Sequence, residues 1–387
     1  MRKAHFHLIL LALVASPMAL AQEHGLAEDG FIRMFNGIDF SGWHAAEHWV
    51  VQDGVIHCTG ERGNWLRSHL LYEDFVLRLE YKISPKGNSG VFLRAPLVGR
   101  QSQIGMEIQI RDDHGRNPST GGAGALYKIM APARNMSKPA GEWNELEVTC
   151  RGKRVITVMN GQQLYDVNLD DEELNAKLEE DFKASGRRRF GYIGLQNHGK
   201  PVWFRNVRIK PLVPEGYVSL FNGKDLSGWR LMGARSWRVE DGLLVFTGQR
   251  AGWLRSEQAY RDFRLKLDYR LSEGADGGVY IGAKGKNKGV GVQLLDDAGA
   301  EPSAISSGAL FGILAPSQNV TKPTGEWNQL EITCKDGQFS ANLNIIDLWS
   351  VDLAEHERLR KLPAEGALGL QGARGRIELR NIYVKEL

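Results

Sequence analysis

Four short segments carry the residues whose types could do chemistry. GMEIQIRDD places Glu107, Gln109 and Arg111 at alternate positions, and GVFLRAP carries Arg94. GALYKIM carries Tyr127 and Lys128, and GLQNHG carries Asn197 and His198. Their carboxyl, imidazole, cationic, phenol and amide groups exchange protons or donate strong hydrogen bonds. The chain supplies its own control, because it contains the same module twice. FNGIDFSGW returns as FNGKDLSGW, and GALYKIMAPARNMSKPAGEWNELEVTC returns as GALFGILAPSQNVTKPTGEWNQLEITC. In the second copy Arg94 becomes Gly282, Glu107 becomes Gly291, Tyr127-Lys128 becomes Phe311-Gly312, and Asn197-His198 becomes Gly372-Ala373. Each replacement removes a polar group. Scattered drift would not strip neighbouring segments so selectively, so these segments read as a site in the first copy. Gln109 survives as Gln293, which suits a structural hydrogen bond.

Strands must position these groups. In DFVLRLEYKIS the apolar Phe75, Leu77, Leu79 and Tyr81 alternate with Val76, Arg78, Glu80 and Lys82, and DFRLKLDYRLS repeats the pattern. Half-buried antiparallel strands produce that period of two. Many short strands with Gly-rich turns indicate an all-β sandwich or jelly roll. Alternation puts Glu107, Gln109 and Arg111 on one strand face and Met106, Ile108 and Ile110 on the other. The apolar trio must face the interior, which leaves the polar trio for an outer cleft with Arg94, Lys128 and His198 nearby. Asn160-Gly161 signals a type I′ hairpin; Asn344-Ile345 at the equivalent place predicts a different turn. Short helices are expected after Asp170-Asp171-Glu172 and over His356 to Leu362.

Residues kept in both copies look architectural: Trp43/Trp229, Trp49/Trp237, Trp143/Trp327, Asn144/Asn328 and Asn206/Asn381. Asp112-Asp113 recurs as Asp296-Asp297, which fits a turn. The three cysteines form no disulfide framework and read as small buried hydrophobes. A formal charge of +3 over 387 residues gives no pull toward nucleic acid, and Arg187-Arg188-Arg189 reads as a solvated turn. The first residues have a basic start, a short apolar run and an Ala-Leu-Ala cleavage site. They predict a signal peptide over residues 1–21 and an exported protein, periplasmic or secreted, with no membrane span. The modules then occupy residues 22–212 and 213–387, and the short VPEG linker predicts that they pack together.

The run NSGVFLR, EIQIRD, GALY with GEWN, and GLQNHG with FRN resembles the 3-keto-disaccharide hydrolase family. The resemblance covers the first module with its polar signatures and the second with framework motifs alone. It implies two tandem concanavalin A-like jelly rolls and a carbohydrate substrate, a glycoside oxidised to a ketone at C3. It also implies cleavage by hydrolysis or by β-elimination followed by hydration, since the ketone acidifies the C2 proton. On that resemblance Glu107 and His198 are the acid–base candidates, or the ligands of a divalent metal where the family site holds one. Arg94 and Lys128 would stabilise the enolate or hold hydroxyls, and Gln109, Tyr127, Asn197 and Arg111 would bind substrate. The second module would be a degenerate structural or glycan-binding accessory.

Rival readings remain at this level. An ordinary glycosidase needs two carboxyls about 5 to 9.5 Å apart, whereas Glu107 and Asp112 would lie roughly 17 Å apart along an extended strand. A non-catalytic sugar-binding protein would use the ten tryptophans. A surface scaffold would have no reason to lose polar groups from one copy only.

Overall fold

The computed structural model describes residues 26–27 (backbone only), 30–283, 289–363 and 365–387. The expected signal peptide lies outside the described residues. The chain folds into two tandem concanavalin A-like jelly rolls, each a large antiparallel sheet packed on a five-stranded one. In the first module the five-stranded sheet runs Trp43–His44, Leu66–Tyr72, Gly191–Leu195, Asn88–Ala95, Met106–Arg111. The second repeats that order with Trp229–Gly233, Gly252–Tyr260, Gly366–Arg374, Asp276–Ala283 and Val290–Leu295.

Burial along Phe75–Ile83 alternates residue by residue, as the period-two pattern requires. Leu77, Leu79 and Tyr81 from the large sheet share one core with Val91, Leu93, Ile108 and Ile110 from the small one. The opposite face of the small sheet is therefore free to carry polar groups. Cys58, Cys150 and Cys334 are buried free thiols.

Three local expectations change. The Asn344-Ile345 turn keeps the geometry of Asn160-Gly161: φ is 49° and 78° in the first pair and 51° and 70° in the second. Ile345 thus holds a left-handed backbone that β-branched residues strongly disfavour. A helix does form at Glu172–Ala176, capped by the Asp171 carboxylate accepting from Leu174 N–H at 2.7 Å. Residues 356–362 form only turns and bends. Finally, Arg187 is not solvated but 3 % exposed.

The strand Leu66–Tyr72 meets residues of the second module. The Gln329 amide accepts from Leu71 N–H at 2.9 Å and donates to Leu71 O at 3.0 Å. Lys266 pairs with Glu73 at 2.6 Å, and Leu70 clusters with Leu243, Val245 and Trp327.

Candidate active site

The outer face of the first module's small sheet is built in rows. Cross-strand pairing aligns His44, Arg67, Gly194, Phe92 and Glu107. In the next row Gly90 pairs with Gln109, and Gln196 N–H donates to Gly90 O at 2.8 Å. Two glycines give the face its shape. The Glu107 carboxyl lies over Gly90 and the Trp65 indole over Gly194, where a Cβ would collide with each. Trp65 meets Phe92 edge-on with centroids 5.6 Å apart, and the Arg67 guanidinium sits 4.5 Å over the Tyr192 ring. The floor thus combines a carboxyl, an amide, a guanidinium and aromatic surfaces.

Glu107 is only 3 % exposed. Burial pushes its carboxyl up to about 8, against a hydrogen bond from Gln196 that favours the ionised form. Tyr127 is tied to the same strand, its N–H donating to Glu107 O at 2.9 Å. Its ring meets Phe182 edge-on at 6.0 Å. The Arg187 guanidinium lies 5.6 Å from the Phe182 centroid, and its Nε and Nη2 have no hydrogen-bond partner. Those two nitrogens are themselves buried, so the guanidinium lies beneath the surface rather than open on it.

Arg94 is corrected out of the site. It is fully buried and donates to Glu73 O at 2.7 Å, Gly152 O at 2.8 Å and the Asp74 carboxylate at 3.0 Å. Each of its three nitrogens is engaged in holding the loops around Glu73, Asp74 and Gly152. Its φ is 50° against 69° at Gly282, and Lys128 has 62° against 67° at Gly312. Glycine is the natural occupant of such backbone, so neither loss requires a catalytic cause. Lys128 remains exposed beside Tyr127.

The other expected residues divide. Gln109 donates to Asn88 at 2.9 Å, and Gln293 donates to Asp276 at the same distance, so both copies keep one strut. Arg111 reaches Gly121 O at 3.2 Å. Asn197 donates to Glu61 O at 2.8 Å and accepts from Gly199 N–H at 3.0 Å, which makes it a loop tie. His198 is exposed in the following turn, while Glu107 is buried in the sheet. Among the described residues no three His, Cys, Asp or Glu side chains gather as a metal site. Glu107 and His198 alone are too few donors to fit an ion.

Trp65, Arg67 and Gln196 escape notice in the sequence because they recur as Trp253, Arg255 and Gln371. Tyr192, replaced by Ala367, is the loss that would have pointed to this row. In the second module Tyr280 stands where the first has Phe92, and its ring occupies the space beside Gly291. It also packs on Trp253 at 4.5 Å. A tyrosine ring fills the place of the Glu107 carboxyl.

Two such sandwiches, one with a buried carboxyl on a polar sheet face, are the frame of a glycoside hydrolase-like protein. Residues 30–210 and 216–385 each match the 3-keto-alpha-glucoside-1,2-lyase-like domain, and the chain belongs to that family. A 3-keto-disaccharide hydrolase of Bacteroides thetaiotaomicron is 26% identical in a 230-residue alignment that covers 48% of this chain and 79% of that protein. A putative glycosyl hydrolase from Parabacteroides distasonis is 26% identical with a TM-score of 0.42, covering 51% of this chain and 98% of that one. A second from the same organism is 25% identical with a TM-score of 0.43, covering 47% and 99%.

Proposed function

We propose that the first module cleaves glycosides bearing a ketone at C3, by elimination of the C1 substituent followed by hydration. The observation that carries this is Glu107, a buried carboxyl raised to about 8 on a face lined by Trp65, Arg67 and Gln196. A base of that strength is matched to a proton acidified by a neighbouring ketone.

Ionised Glu107 takes the C2 proton, and the electron pair moves into the C2–C3 enolate. Arg67 lies three strands along Glu107's cross-strand row, roughly 14 Å at the backbone, and is the cation whose long side chain would reach the C3 oxygen. The enolate then expels the C1 oxygen, which receives the proton from Glu107 as the C1–O bond breaks. Water adds across the C1–C2 double bond, its oxygen to C1 and a proton to C2. The net result is hydrolysis. Tyr127 and Lys128 hold sugar hydroxyls, and Trp65 offers an apolar face to the ring. His198 serves as a loop contact to substrate. The leader-like first residues support export, the contacts from Gln329 and Lys266 support modules that pack together, and Tyr280 supports a second module without turnover.

A product assay with a 3-keto-glucoside and its unoxidised parent tests this. Cleavage confined to the keto sugar, falling about 100- to 10,000-fold in Glu107→Gln, is the expected result. Equal cleavage of the parent sugar would sink the keto-specific reading. A chelator arm reports on any metal requirement.

A further inference from the structure

A cleft of about 450 Å³ lies where the strand end Leu71–Asp74 of the first module faces the outer side of the second module's large sheet. That volume is in the range of small-molecule sites. The first module has a groove of about 350 Å³ on the equivalent face, lined by Arg78, Glu80, Glu145, Glu147, Val158 and Gly161 among others. The two grooves can therefore be compared position by position. In the second module Glu145 has become Gln329, Val158 has become Asn342, Gly161 has become Ile345 and Arg208 has become Tyr383. Two charges give way to an amide and a phenol, and Val158 and Gly161 to an amide and an aliphatic side chain, while Lys266, Asp268 and Glu331 keep the charges of Arg78, Glu80 and Glu147.

Ile345 is the most informative change. Its backbone stays left-handed at φ 70°, where Gly161 sits without strain at 78°. Its side chain is 43 % exposed on the cleft wall, with Phe190 of the first module 42 % exposed on the same cleft. Strain retained in an exposed apolar side chain points to a use for that side chain. The walls carry five carboxylates, Glu73, Asp74, Asp268, Glu331 and Asp347, against two cations, Arg264 and Lys266, with Arg94 and Arg380 standing behind them. Glu73 pairs with Lys266, Glu331 with Arg264, Asp268 with Arg380, and Asp74 with Arg94. Asp347 accepts from Asn342 at 2.8 Å. Walls of that kind offer donors and acceptors together, and the carboxylate left without a cation, Asp347, disfavours anions.

We infer that this intermodule cleft binds a neutral saccharide, with its C–H face on Phe190 and Ile345 and its hydroxyls on Asn342, Asp347 and Tyr383. Sugar hydroxyls both donate and accept, which matches the mixed walls. Polarised C–H groups suit the negative face of an aromatic ring. The cleft is distinct from the sheet face around Glu107 and does not depend on the keto-sugar chemistry.

Saturation-transfer-difference NMR with trehalose, maltose and cellobiose tests the inference on the full chain carrying Glu107→Gln. Transfer from at least one sugar is expected. Adding Ile345→Gly, which removes strain and should keep or raise Tm, weakens binding about tenfold. Tyr383→Arg, which restores the first module's residue, does the same. Trp65→Ala leaves the cleft signal in place. Absence of transfer from all three sugars overturns the inference. So does transfer abolished by Trp65→Ala yet untouched by Ile345→Gly and Tyr383→Arg, since the sugar would then sit on the Glu107 face.

Discussion

Glu107 and Arg94 are both buried charged-type residues, yet their surroundings assign them opposite tasks. Glu107 has an amide neighbour and no cation in direct contact, so burial raises its carboxyl from 4.5 to about 8. If the ionised form is the base, kcat/KM should rise with pH and level off above about 8. A profile that falls through the same region would make Glu107 the acid instead. The same shift has a stability sign. The folded state holds the proton more tightly than the unfolded chain, so this contribution is complete below 4.5 and is lost as pH rises through about 8. Arg94 by contrast neutralises Asp74 and fastens two loop carbonyls. Arg94→Ala should cost about 3–5 kcal/mol of stability, because it strands a buried carboxylate. Turnover per folded molecule should persist. Thermal denaturation alongside the keto-sugar assay separates the two effects.

At the scale of elements, the sequence made the sandwich legible because half-buried strands must alternate. It made Glu107 legible because the second copy has lost it. The same comparison misled at Arg94 and Lys128, where the repeat shares a left-handed backbone that glycine occupies without strain. It also hid Trp65, Arg67 and Gln196, since the second module retains them as Trp253, Arg255 and Gln371. Turn chemistry failed at Asn344-Ile345 for a related reason: the flanking strands impose the type I′ geometry whatever residue is there. Ile345→Gly should therefore stabilise the protein by about 1 kcal/mol, the scale of the left-handed penalty. A Tm that falls in this variant would show that the isoleucine side chain stabilises the hairpin by more than its backbone strain costs.

Across the whole molecule, the strand Leu66–Tyr72 links chemistry to architecture. Arg67 faces the site row, while His69, Leu70 and Leu71 meet the second module. His69 lies 3.1 Å from Glu326, and its carbonyl accepts from the Lys322 ammonium at 3.1 Å. Burial lowers His69 below its usual value of 6.5, with Lys322 and Arg67 adding to the effect and Glu326 opposing it. His44, whose ring centroid is 4.3 Å away, is pushed down to about 4, first by burial and then by Arg67. Both imidazoles are thus harder to protonate in the folded protein than in the unfolded chain. Their contribution is present above 6.5 and drains away as pH falls toward about 4. The seam between modules should consequently loosen in acid before the separate cores melt. Calorimetry should resolve one transition near neutrality into two near pH 5, and His44→Asn with His69→Asn should delay that separation. A single transition through the whole range, unchanged in the double variant, would mean that these histidines do not govern how the modules hold together.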